Sequence, residues 1–103
     1  MSILLEFAMF PTDKGDSVSE YVSRVIKMID DSGADYQLTP MGTIIETEEM
    51  SSALEFIQKA YDMLSPESKR IYSTVSFDIR EGKSGRLKQK IQSVENKIGK
   101  IKT

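Results

Sequence analysis

Cysteine, histidine and tryptophan are all absent from the 103 residues of this chain. Without cysteine there is no disulfide and no thiolate nucleophile, and without histidine the usual zinc sites and Ser-His-Asp chemistry are excluded. Carboxylate or lysine chemistry stays open, but most routes to acid–base catalysis are missing. We therefore expect a protein that is not an enzyme, with no catalytic residue and neither a metal ion nor another cofactor.

Long hydrophobic runs are also missing. The N-terminal run Ile3-Leu4-Leu5 is interrupted by Glu6 and has no basic segment before it. This pattern predicts neither a membrane-spanning helix nor a signal-peptide core, so we expect no membrane partner and a cytoplasmic location. With 39% hydrophobic and 29% charged residues, the length predicts a single domain over residues 1–103.

Charge is unevenly distributed along the chain. Residues 1–82 carry 7 basic and 15 acidic residues, whereas residues 83–103 carry 7 basic residues and one acid, Glu95. A basic tail can indicate nucleic-acid binding. However, this tail contains no aromatic residue, and a charged back around one apolar stripe is typical of a surface helix. Attraction to the acidic part of the same or a neighbouring subunit is therefore favoured over nucleic acid.

The hydrophobic periodicity predicts seven elements in the order β-α-β-β-α-β-α. The predicted strands are Ile3–Phe10, two short strands within Tyr36–Thr47, and Arg70–Arg80; the predicted helices begin near Ser17, near Thr47–Glu49 and near residue 84, the last ending near 101. The first six elements match the α+β ferredoxin-like arrangement, a four-stranded antiparallel sheet with two helices on one face. The extra element is a C-terminal helix over about 84–101.

Local signals set the expected ends and faces of the helices. Ser17 and Glu20 have the capping-box spacing for the first helix, and Gly33 suits its C-terminus. The predicted buried faces are, for the first helix, Val18, Val22, Val25, Ile26 and Ile29; for the second, Ala53, Leu54, Ile57, Ala60, Tyr61 and Leu64; and for the last, Leu87, Ile91, Val94, Ile98 and Ile101.

Two helices cover only one face of such a sheet. The first and third strands carry apolar residues on both faces, so the other face should expose apolar groups. Exposed apolar area of that size usually marks a partner surface. We therefore expect self-association to a dimer or tetramer, with the last helix covering part of the open face.

The stretch Tyr36–Glu46 contains the most distinctive residues. Pro40 and Gly42 break it into two strands, and Glu46 ends a strand that is otherwise apolar and β-branched. A buried carboxylate needs a partner, which could be a protein cation or a ligand. Because side chains alternate along a strand, Thr43 should face away from Glu46.

These residues resemble a known family. The pattern Tyr36-x-x-x-Pro40-x-x-Thr43-x-x-Glu46 is similar to the signature of the small thiamine-binding-like proteins, of the uncharacterised UPF0045 or DUF77 type. The resemblance extends over nearly the whole chain. It implies a ferredoxin-like fold, dimers and tetramers, and binding of thiamine or its hydroxymethylpyrimidine part.

The resemblance makes Glu46 the expected anchor for a ligand amine or cation, with Thr43 at a polar edge of the ligand. Tyr36, Met9 and Met41, together with Phe10, could form an aromatic and thioether wall for a flat heterocycle, and Ser17 could face the ligand from its capping position. For each residue a structural role stays open: Glu46 as a salt-bridge partner, Thr43 as an ordinary strand residue, and the others as core. The alternative function is a structural or regulatory oligomer without a bound ligand.

Overall fold

The computed structural model of the chain describes residues 1–16 and 18–103. Its elements in chain order are β1 (Ser2–Pro11), α1 (Ser19–Asp31), β2 (Asp35–Thr39), β3 (Gly42–Thr47), α2 (Met50–Leu64), a 3₁₀ turn (Ser65–Glu67), β4 (Ile71–Arg80) and α3 (Arg86–Ile98). The strands form one antiparallel sheet in the order β2-β3-β1-β4. The α+β, ferredoxin-like arrangement predicted from the sequence is confirmed.

Strand β1 lies in the middle of the sheet, between β3 and β4. Its odd-numbered side chains Ile3, Leu5 and Phe7 face the helices and are at most 3% exposed. Pairing of Leu5 with Ile45 and with Phe77 places the apolar rows of three strands side by side. The two-sided apolar pattern of this strand therefore reflects its central position.

Helices α1 and α2 cover the face formed by these rows. The core of buried apolar residues comprises Ile3, Leu5, Phe7, Met9, Val25, Ile29, Ile45, Ala53, Ala60 and Leu64. Gly33 follows α1 with φ +77°, and its N–H donates to the Asp30 carbonyl at 3.2 Å, as expected for a helix C-terminus. The predicted serine cap at Ser17 lies outside the described residues; α1 begins at Ser19 with Val18 as its N-cap and no side-chain capping bond.

Helix α2 begins later than the sequence predicted. Thr47 still belongs to β3, and its hydroxyl donates to the Glu49 carbonyl at 2.9 Å. The acids at 48 and 49 therefore precede the first turn instead of forming it. The predicted face is correct for Ala53, Ala60 and Leu64, but Leu54 and Tyr61 are about half exposed. Each lies one residue beyond a buried alanine, about 100° around the helix and away from the sheet.

Helix α3 contacts β1, β2 and β3 from the face opposite α1 and α2. The predicted stripe is half-buried at Leu87, Ile91 and Val94, but Ile98 is 72% exposed. The helix thus covers one end of the otherwise open face with its first three turns. No helix in the described part of the chain is long and apolar enough to cross a membrane.

Candidate functional site

A cavity of about 270 Å³ lies between the start of α1 and the β2–β3 hairpin. We call it the α1 cavity. Its walls are the adjacent part of β1, the apolar side chains of Val18, Val22 and Ile26, and the hairpin residues 38–43. None of the described residues that line it carries a charge, so the cavity suits the apolar body of a small neutral molecule.

Thr43 is the polar group of the α1 cavity. Its residue surface is only 5% exposed, because β3 turns it toward the helix layer opposite Phe7. None of the buried side-chain oxygen or nitrogen atoms in the described part of the chain lacks a hydrogen-bond partner, so the Thr43 hydroxyl is not an orphaned buried group. A threonine hydroxyl can donate and accept, so at the wall of a cavity it can bond to a ligand atom that enters there.

The hairpin that forms one wall is held by its own polar contacts. The Thr39 hydroxyl donates to the Gly42 carbonyl at 2.8 Å and accepts from the N–H groups of Met41 and Gly42 at 3.3 and 3.2 Å. A Cβ at Gly42 would lie 2.9 Å from the Phe7 carbonyl oxygen, so glycine permits β3 to approach β1 at this point.

Three of the six predicted site residues meet at this cavity. Met9 and Thr43 line it from the sheet, and Met41, which is 87% exposed, lies at its mouth. Phe10 also lines it. Ser17 lies outside the described residues, although the adjacent Val18 is part of the wall.

Tyr36 is not part of the α1 cavity. Its hydroxyl donates to the Asp30 carboxylate at 2.8 Å, which ties β2 to the end of α1. This hydrogen bond, with burial and the negative charge of Asp30, raises the pKa of Tyr36. The Tyr36 side chain lies on the α1 face of the sheet. On the other face, β2 and α3 form a wider groove of about 620 Å³, where Asp35, Lys88 and Glu95 give a mixed charge.

Glu46 lies on the opposite face of the sheet from Thr43, as the strand alternation predicted. It pairs with Leu4 on β1, whereas Thr43 pairs with Phe7. Its two carboxylate oxygens accept hydrogen bonds from the Ser2 hydroxyl at 2.5 Å and from the N–H groups of Arg86 and Leu87 at 3.1 and 3.2 Å. Glu46 therefore caps the N-terminus of α3, an arrangement that the charge at a helix start favours.

Burial alone would raise the pKa of Glu46, but hydrogen bonds from Ser2 and from the α3 backbone, with the nearby Arg86 charge, hold it below its usual value of 4.5. The carboxylate is thus ionised at neutral pH. Its hydrogen-bond partners are protein groups that hold the start of α3 on the sheet. A ligand could bond to the carboxylate only if α3 released these hydrogen bonds.

Arg86 completes this cluster, which we call the α3 anchor: Ser2, Glu46, Asp78 and Arg86. The guanidinium donates to the Ser2 hydroxyl and carbonyl, each at 2.9 Å, and to the Asp78 carbonyl at 2.6 Å. It also forms an ion pair with the Asp78 carboxylate at 3.0 Å. Sequence reasoning missed Ser2 and Arg86, because nothing local signals a bond between residues 84 positions apart.

Known proteins are similar to this chain over most of its length. The family model described as thiamine-binding protein matches residues 5–95. The UPF0045 protein Mb1933 of Mycobacterium bovis is 30% identical over 92% of this chain and 93% of its own length. The UPF0045 protein YqgV of Bacillus subtilis is 36% identical, over 80% of this chain and 83% of its own.

Solved structures show the same fold. A hypothetical protein from Methanocaldococcus jannaschii has a TM-score of 0.79 at 24% identity, covering 90% of this chain and 95% of that one. A proposed thiamine biosynthesis/salvage protein from Thermotoga maritima has a TM-score of 0.77 at 18% identity, covering 91% and 99%.

Proposed function

Because the chain belongs to the thiamine-binding protein family, we propose that it binds thiamine or a related pyrimidine or cationic heterocycle, without catalysing a reaction on it. The protein would act in the cytoplasm as an oligomer. The single observation that supports binding most directly is the largely buried Thr43 as a polar residue at the wall of an apolar cavity. The cavity lies within one chain, so each subunit would bind its own ligand.

The size of the α1 cavity favours one part of such a ligand. Its 270 Å³ is slightly below the range of about 300–1,000 Å³ that is usual for drug-sized ligands. A single pyrimidine ring with small substituents fits this space better than a two-ring cation with a phosphate chain. Because no described lining residue is charged, the neutral hydroxymethylpyrimidine part is also favoured over the thiazolium cation.

The contacts expected in this pose follow from the lining. The Thr43 hydroxyl, which can donate and accept, would bond to a ring nitrogen or an exocyclic amine. Met9 and Met41 would contact the ring with their thioethers, which adapt well to flat aromatic surfaces. Tyr36 and Glu46, which the family motif also contains, lie outside this cavity. Their role as ligand contacts is a proposal that requires Tyr36 to release Asp30 and Glu46 to release the start of α3.

Calorimetry of the purified protein with hydroxymethylpyrimidine, thiamine and thiamine phosphates tests the proposal. The decisive variant is Thr43→Val, which keeps the shape and removes the hydroxyl. Loss of one neutral hydrogen bond of about 0.5–1.5 kcal/mol should weaken binding by about two- to tenfold.

Thr74→Val is the matched control, since Thr74 is an exposed threonine on β4 outside the cavity. It should bind like the wild type. Equal affinity of Thr43→Val and wild type would remove Thr43 from the site. If the wild type binds none of these compounds, ligand binding fails as a function.

The Glu46 geometry favours a second candidate function, a structural or regulatory oligomer without a small ligand. The motif glutamate accepts hydrogen bonds from the Ser2 hydroxyl and from two N–H groups of α3, and these bonds hold α3 on the sheet. In that case the role of the motif glutamate would be to hold α3 in position, and it would not contact a ligand. Absence of binding by the wild type, together with a defined oligomer, would favour this candidate.

A further inference from the structure

A second groove continues from the α1 cavity along α1. It has a volume of about 570 Å³ and lies between this helix and β2, and we call it the α1–β2 groove. Val22, Ile26 and Leu38 line both spaces, so the cavity and the groove are continuous. A molecule with one ring in the cavity could therefore extend over these apolar side chains into the groove.

The end of the α1–β2 groove that lies away from the hairpin is formed by Asp30 and Tyr36. Asp30 follows Ile26 by four residues, a rise of about 6 Å along the helix, so it lies within reach of a second ring joined to the first. The Tyr36 hydroxyl donates to one carboxylate oxygen of Asp30 at 2.8 Å. The groove thus ends at a carboxylate whose position is fixed by a hydrogen bond.

The charge of the Asp30 carboxylate is not paired with a cation among the described residues. Lys27 also lines the groove, but it forms an ion pair with Asp31 at 3.3 Å. The last turn of α1 contains no basic residue, and the negative end of the helix dipole makes an anion there unfavourable. A bound cation would offset this cost.

Glu46 is less suited to a cation that is joined to a ring in the α1 cavity. It lies on the opposite face of the sheet, and its oxygens already accept hydrogen bonds from Ser2 and from the N–H groups of Arg86 and Leu87. Asp30 lies on the same face as the cavity, and only the Tyr36 hydroxyl bonds to it among the described residues. The available negative charge is therefore at Asp30.

We propose that the α1–β2 groove is a subsite for a positively charged ring, and that Asp30 makes the protein prefer cationic, unphosphorylated ligands. This inference rests on the proposed function, because it requires the neutral ring of the same ligand to lie in the α1 cavity. In thiamine a single carbon joins the pyrimidine to the thiazolium cation, so the two rings would occupy the two spaces. A phosphate on the thiazolium side would bring negative charge toward Asp30 and should weaken binding. Tyr36 needs no direct contact with the ligand in this pose.

Calorimetry with two ligands and two variants tests the subsite. Asp30→Asn removes the charge but keeps an oxygen that can accept from Tyr36. It should weaken thiamine binding by about two- to fivefold, as expected for an exposed charge pair, and leave hydroxymethylpyrimidine binding unchanged. The preference of the protein for thiamine over thiamine diphosphate should also become smaller. Asp62→Asn is the matched control, because Asp62 is an exposed aspartate on α2 that accepts a hydrogen bond from Gln58 at 2.9 Å, and it should bind like the wild type.

Salt dependence gives a second test that requires no variant. The affinity of the wild type for thiamine should fall as sodium chloride is added, because salt screens exposed charges, whereas its affinity for hydroxymethylpyrimidine should stay constant. Equal changes for the two ligands, no effect of Asp30→Asn, or binding of hydroxymethylpyrimidine alone would overturn the subsite and leave binding in the α1 cavity intact. If the wild type binds neither compound, the proposed function and the subsite both fail.

Discussion

Thr43 and Glu46 are three residues apart on β3, yet their side chains lie on opposite faces of the sheet. Thr43 faces the helix layer and lines the α1 cavity, whereas Glu46 faces α3 and caps it. One family motif therefore contributes to two separate sites. The following predictions test each of them.

Removal of the Glu46 carboxylate should loosen α3. In Glu46→Ala the N–H groups of Arg86 and Leu87 lose their acceptor, and loss of a helix cap costs about 0.5–2 kcal/mol. Hydrogen exchange should become faster across Arg86–Ile98 while β1 and β3 stay protected. Glu48→Ala, at an exposed glutamate outside the α3 anchor, should leave exchange in α3 unchanged. Unchanged exchange in Glu46→Ala would show that the cap does not hold the helix.

The same carboxylate should make stability depend on acid pH. Because the pKa of Glu46 is lowered in the folded state, its contribution is complete above the unfolded value of 4.5 and is lost as the pH falls through the lower folded value. Urea unfolding at pH 7 should show Glu46→Gln less stable than wild type. The difference should shrink at about pH 3, because glutamine does not titrate. A difference that stays constant with pH would mean that the charge is not involved.

Two isoleucines on α3 should differ in how much each contributes to the free energy of unfolding. Ile91 is half-buried in the stripe that contacts the body, and Ile98 is 72% exposed. Burial of such a side chain is worth about 1.5–3 kcal/mol, so Ile91→Asp should lower the free energy of unfolding by an amount of this order. Ile98→Asp, with the same chemistry on the same face, should change it by about 0.5 kcal/mol or less. Thermal unfolding of both variants gives the comparison, and equal effects would contradict the packing of α3.

Gly42→Ala should disturb the α1 cavity without touching its lining side chains. The added methyl group would lie 2.9 Å from the Phe7 carbonyl oxygen, so the hairpin must shift. A forced contact of this kind costs about 1–3 kcal/mol. We expect lower stability by urea unfolding and weaker ligand binding by calorimetry in the same variant. Unchanged stability would show that the hairpin can move without cost.

Sequence reasoning recovered the parts of the fold that depend on local patterns. The alternation in β4 and the two-sided apolar pattern of β1 gave their positions, since period two and sheet burial follow directly from residue type. The same alternation placed Thr43 and Glu46 on different faces. The helical spacing of apolar residues did not show that Leu54 and Tyr61 of α2 are exposed. The width of a buried stripe depends on how the helix packs on its sheet.

The partners of Glu46 were beyond local patterns for a different reason. Its bonds to Ser2 and to the Arg86 N–H join residues 44 and 40 positions apart, and the isolated acid was compatible with either a cation or a ligand. Only the arrangement of three strands and a helix shows that two backbone donors and a serine satisfy it. The position of Thr43 at the wall of the α1 cavity could not be predicted either, because the cavity forms only where α1 packs beside the β2–β3 hairpin.

The cap of α3 lies in a strand that ends long before the helix begins, and this has a consequence for folding. Gly85, which precedes α3, provides no side-chain bond to it, and an isolated helix of 13 residues is marginal in water. The helix should therefore form late, after β1 and β3 have paired and brought Ser2 and Glu46 together. A peptide of residues 83–103 alone should be largely unstructured, so helicity in this segment reports that the sheet is already assembled.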